Sequence, residues 1–117
     1  MAGVITLSRA LMDGGQVIWE PADRPKLRVV SAYAEALRRD AEEVREVLRR
    51  AVAFRRQLKA WAAAGRALVP VLTLPEAPPP RLGACISCGA SIPNGWRCAP
   101  CLAAVYVALG AVPPSAV

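Results

Sequence analysis

Histidine does not occur in this chain. Its absence removes the commonest general base near neutral pH. Aromatic residues make up only 5% of the 117 positions. Trp19, Tyr33, Phe54, Trp61, Trp96 and Tyr106 are all of them, so large side chains that fill a wide core are scarce. No run of about 18 uninterrupted apolar residues occurs, which argues against a membrane span. The longest apolar stretch, Ala60 to Leu74, is cut by Arg66 and Pro70. A glycine-rich phosphate cradle is missing too, as is any helix bearing paired carboxylates at metal spacing. Glu42, Glu43 and Glu46 suit the start of a helix, where the dipole and neighbouring arginines favour acids. These absences predict a protein that is not an enzyme.

Four cysteines are present, and they form two short pairs. Cys85 and Cys88 bracket two residues, Cys98 and Cys101 do the same, and nine residues separate the pairs. Two such knuckles around one ion make a tetrahedral four-thiolate zinc site, with no position open for water or substrate. The expected cofactor is therefore a structural Zn²⁺ held by Cys85, Cys88, Cys98 and Cys101. Gly89 suits a knuckle that needs positive φ. Pro93, Asn94 and Gly95 make a turn in the spacer. Helix character from Leu102 to Leu109 follows the fourth cysteine. Two disulfides would need an oxidising compartment, and Thr6, Ser8, Arg9 and Asp13 break any secretory apolar run, so a cytoplasmic location is expected. Nothing around the pairs reads as the βαβ unit of a redox motif.

The formal charge is +6. Four thiolates and one Zn²⁺ lower it to about +4. Most of the excess lies in residues 1–60, which carry twelve basic and eight acidic side chains.

Local patterns predict an α+β fold. Leu7, Ala10 and Leu11 mark a helix from Thr6 to Asp13, stopped by Gly14-Gly15. Gln16 to Glu20 reads as a strand, Pro21 to Pro25 as a loop, and Lys26 to Val30 as a second strand completing an antiparallel hairpin. Ser31 is a candidate cap for a short helix to about Arg39. Asp40 and Glu43 match a capping box for a long helix from Ala41 to about Ala63. On that helix Val44, Val47, Leu48, Ala51, Phe54, Leu58 and Trp61 share one face and are the expected core. Arg45, Arg49, Arg56 and Lys59 lie opposite. The expected domains are 1–63, a proline-rich spacer at 64–82, a zinc-ribbon or treble-clef-like finger at 83–110, and a tail at 111–117.

The order helix, glycine turn, hairpin, short helix, long helix over residues 4–60 resembles the TubC-type N-terminal docking domain of assembly-line peptide synthetases. Leu7 and Leu11 before Gly14-Gly15, Val17-Ile18-Trp19, Leu27-Arg28-Val29, and Leu37 followed by Val44 and Leu48 carry the resemblance. The chain also resembles small phage and mobile-element proteins in which such a unit precedes a CxxCG…CxxC finger. The docking resemblance implies an αββαα fold, a homodimer, and capture of a partner's acidic peptide segment through the second strand. Lys26 and Arg28 are the residues it carries over.

Two functions therefore stand as expectations. The first is a non-enzymatic zinc-binding adaptor that docks onto another protein through its N-terminal domain or its finger. The near-continuous apolar surface of Leu102 to Leu109 asks for such a cover, from the first domain, a second copy or another protein. The alternative is an accessory protein of a replication or transcription system that binds DNA or RNA. It would use Arg49, Arg50, Arg55, Arg56 and Lys59 along a phosphate backbone, with Trp96 beside Arg97 stacking on a base.

Overall fold

Helix α1 spans Ala2–Met12 in the computed structural model, which describes residues 2–65 and 71–111. It starts at Ala2 rather than at the expected Thr6. The extra turn buries Val4, and Glu43 supplies its cap: Val4 donates its backbone N–H to Glu43 Oε2 at 3.1 Å. Glu43 is thus not the second half of a capping box on its own helix. A carboxylate at the N-terminus of a neighbouring helix satisfies the same free amides and the same dipole. The helix ends as expected, with Gly14 at φ +93° and Gly15 N–H donating to Ala10 O at 2.9 Å.

Strands β1 (Gln16–Glu20) and β2 (Arg24–Arg28) pair antiparallel, from Gln16 opposite Arg28 to Glu20 opposite Arg24. The second strand begins two residues before the expected Lys26, and the loop shrinks to Pro21, Ala22 and Asp23. Positive φ at Ala22 (66°) and Asp23 (55°) tightens the turn. Pro25 enters the strand opposite Trp19, as proline can on an edge. Left-handed backbone costs a residue with a Cβ on the order of 1 kcal/mol. Ala22→Gly is therefore expected to stabilise the protein by about 0.5 kcal/mol after its added chain entropy. A thermal midpoint that stays level or falls in that variant would show that the turn carries no such strain.

Helix α2 covers Ser31–Arg39, and α3 covers Ala41–Ala63. Val30, not Ser31, occupies the cap position of α2, and neither it nor Asp40 of α3 makes a side-chain cap bond. The α3 stripe is as read from its periodicity as far as Leu58, whereas Trp61, in the helix's last turn, is half-buried and outside the core. Val44, Val47, Ala51 and Phe54 are buried, and Leu48 and Leu58 pack beside them. Arg45, Arg49, Arg56 and Lys59 are exposed.

Part of the segment read as a spacer is fastened down. Leu72 and Leu74 are 3% and 4% exposed. Gln57 of α3 donates its side-chain N–H to Thr73 O and accepts from Thr73 N at 3.1 Å. Burial of two leucines outweighs the extended preference of the prolines that follow. Residues 66–70 and the tail from 112 lie outside the described residues.

Helix α4 runs Ala99–Ala108, three residues ahead of the expected Leu102 start, with Cys98 at the cap position and Pro100 in its first turn. Its apolar surface is covered chiefly by α3 and also by α1. One apolar core therefore runs from Val4 and Leu7 through Phe54 to Ala104 and Val107. Among the described residues, four helices and a two-stranded hairpin make this a small α+β protein.

Candidate metal centre

The first cysteine pair sits on a tight turn. Gly89 donates its N–H to Cys85 O at 2.8 Å, and Cys85 donates to Ala90 O at 2.7 Å. Gly89 stands at φ +82°, and a Cβ there would lie 2.4 Å from Pro78 Cγ. Only glycine meets both demands. A short bridge between Ala84 and Ser91, and a bond from Ile86 N–H to Trp96 O at 2.8 Å, fold the spacer back. The second pair opens α4. Cys98 precedes its first turn and Cys101 lies one turn on, so both sulfurs face one side.

The four Sγ atoms lie within 4.8 Å of one another. Cys88 and Cys98 Sγ are 3.7 Å apart. Sulfurs at about 2.3 Å from a tetrahedral ion stand about 3.8 Å apart, so this spacing suits a single ion. All four cysteines are free, with Cys85 and Cys101 buried and the other two half-buried. The arrangement is a candidate metal site.

Its electrostatics point the same way. The bond with Cys101 pushes the Cys98 thiol down to about 4, and the same bond pushes Cys101 up. Burial raises Cys88. Sulfurs this close cannot all ionise in half-buried surroundings without a cation to share their charge. A bound metal ion would supply that charge and displace the protons.

Arg50 of α3 reaches this cluster. Its Nη1 donates to Cys101 Sγ at 3.1 Å and lies 3.6 Å from Cys98 Sγ. Its Nε donates to Glu46 Oε1 at 2.9 Å. Burial works against the Arg50 charge, but Glu46 and the sulfurs more than offset it, and its guanidinium is held above the ordinary value. Arg49 and, less strongly, Arg50 hold Glu46 well below the carboxylate range, at about 2, against the opposing effect of burial.

Ser87, between the first two cysteines, is fully buried. Its hydroxyl donates to Leu72 O at 2.6 Å and accepts from Arg97 Nε at 2.9 Å, while its carbonyl accepts from Leu74 N at 2.8 Å. The sequence reading named none of Ser87, Gln57 or Arg50 for these tasks. A serine inside a CxxC pair and a glutamine on a helix carry no local signal of a distant partner.

The other candidate residues lie elsewhere. Lys26 and Arg28 are exposed on β2 beside Arg24. The five cations of α3 do not form one open row. Arg49 pairs with Glu46 and Glu76, and Arg50 turns inward to the sulfurs. Arg55, Arg56 and Lys59 converge on Asp23 at the hairpin tip, and Arg55 stacks 4.5 Å above the Trp19 ring. Lys59 first, then Arg56 and Arg55, hold the Asp23 carboxyl below its ordinary value. Trp96 is 77% exposed and lines a recess with Leu82 and Ile86. Among the described residues no helix is long and apolar enough to cross a membrane.

These features define a small α+β protein with a four-cysteine cluster. No protein-family model matches the chain, and no curated protein or solved structure does either.

Proposed function

We propose that the chain is a non-catalytic adaptor. One Zn²⁺ held by Cys85, Cys88, Cys98 and Cys101 shapes the finger, and strand β2 docks the molecule onto an acidic, extended segment of a partner protein. Zinc suits four thiolates in tetrahedral array, and a filled coordination shell leaves no place for substrate.

The docking reading rests on one observation. Arg24, Lys26 and Arg28 alternate along the exposed face of β2, and none has an ion-pair partner among the described residues. The outer edge of β2 makes no backbone hydrogen bond among those residues either. An acidic strand laid along that edge would gain main-chain bonds and meet a row of cations. A nucleic-acid reading has less behind it, because the α3 cations already face Glu46, Glu76, Asp23 or sulfur.

Two measurements test the proposal. Elemental analysis of the purified protein should find one equivalent of zinc. Fluorescently labelled, Asp/Glu-rich extended peptides should bind the native chain in low salt. Lys26→Glu with Arg28→Glu should weaken that binding at least about tenfold by reversing two contacting charges. Undiminished peptide capture by the double variant rejects the β2 site. Capture of DNA or RNA that weakens steeply with salt supports the alternative instead.

A further inference from the structure

The four sulfurs come from residues 85–101, yet a charged group that reaches two of them comes from α3. Arg50 is tethered on both sides. Glu46 holds its Nε at 2.9 Å, and its Nη1 reaches Cys101 and Cys98 Sγ at 3.1 and 3.6 Å. Its side chain is only 17% exposed, so water screens the contact weakly. Arg49, one residue earlier, is 51% exposed and points to Glu46 and Glu76. The choice of which arginine meets the cluster is therefore made by the helix face.

We infer that Arg50 is a positioning residue of the metal centre, an outer-sphere charge partner that binds the finger to α3 through the metal-thiolate cluster itself. The inference rests on the metal reading above. Four thiolates and one divalent ion carry a net charge of −2. Holding that charge half-buried is costly unless neighbouring donors share it. The Arg50 guanidinium brings one positive charge and two N–H groups within reach of two adjacent ligands. A hydrogen bond to a metal-bound thiolate draws electron density from sulfur and fixes the side chain's orientation. Metal binding and the packing of α3 on the finger are then linked: the ion strengthens the packing by the same factor by which the packing strengthens the ion's binding.

The experiment titrates Co²⁺ and then Zn²⁺ into the full chain against a competing chelator. It compares the native protein with Arg50→Gln, Arg50→Lys and, as control, Arg49→Gln. Arg50→Gln removes no ligand and should bind either ion about 10–100-fold more weakly, the usual cost of losing such a partner. The sulfur-to-cobalt charge-transfer band should also move to longer wavelength, because an unbonded thiolate gives up its electron more easily. Arg50→Lys should recover part of the affinity, and Arg49→Gln should match the native chain. Native affinity and an unshifted band in Arg50→Gln overturn the inference and leave the metal reading intact. A native chain that takes up neither ion overturns both. Should Arg50→Gln fail to fold, Arg50→Lys is read in its place: its shorter reach should still shift the band, and an unshifted band with native affinity overturns the inference.

Discussion

Loss of the metal is expected to undo the C-terminal third of the fold. Cys101 is fully buried at the start of α4, and α4 supplies much of the cover over α3. Cys101→Ser would weaken one of the four proposed ligands, and a strong chelator would remove the ion outright. Structural zinc in small fingers contributes about 10–16 kcal/mol of apparent free energy. That matches or exceeds the whole stability of an ordinary domain, about 5–15 kcal/mol. The finger has little else to hold it. Its largest side chain, Trp96, is exposed, and apart from the cysteines its buried groups are Val107 and the small residues Ser87, Ala103, Ala104 and Ala108. Hydrogen exchange should therefore show α4 and the 84–91 turn losing protection on chelation. The thermal midpoint of the remainder should fall by more than about 10 °C, because several kcal/mol of packing goes with α4. Unchanged protection across α4 after complete metal removal means that the sulfurs do not organise the fold.

Phe54→Ala is expected to be the most damaging single change among the apolar residues. Phe54 is the largest fully buried side chain and sits in the core that links α1, α3 and α4. Truncation of a buried phenylalanine costs about 3–5 kcal/mol, through lost transfer energy and the cavity left behind. For a chain of this size that lowers the thermal midpoint on the order of 15 °C or more. Phe54→Leu keeps most of the volume and should cost less than about 1.5 kcal/mol. Denaturant midpoints measured with saturating metal separate this packing effect from metal loss. Equal midpoints for the alanine variant and the native chain place Phe54 outside the core.

The sequence disclosed most where its message was local. The α3 stripe from Val44 to Leu58 repeats at helical spacing, and burial followed it. The hairpin was legible from Val17-Ile18-Trp19 and Leu27, although its turn closed earlier because Ala22 and Asp23 took up left-handed backbone. The caps were less legible. Glu43 had the right spacing to serve its own helix, but its carboxylate accepts from Val4 of α1, and the Asp40 amide it would have capped donates to Ala36 O instead. Leu72 and Leu74 looked like part of a proline-rich tether, and no periodicity marked them as buried. The α3 cations read as one basic face. Asp23, some thirty residues away in sequence, drew three of them together, and the sulfurs drew in a fourth.

The sequence by itself determined the four-cysteine cluster, because two-residue spacing brings each pair together over a single turn. It also determined the helix that bears the core, because burial needs side chains on one face. Tertiary structure alone decided that α3 meets the cysteine cluster through Arg50 rather than Arg49, and that Gln57 and Ser87 secure the chain between them. Those contacts join residues far apart along the chain, and a charge or an amide carries no mark of its distant partner until packing brings the two together.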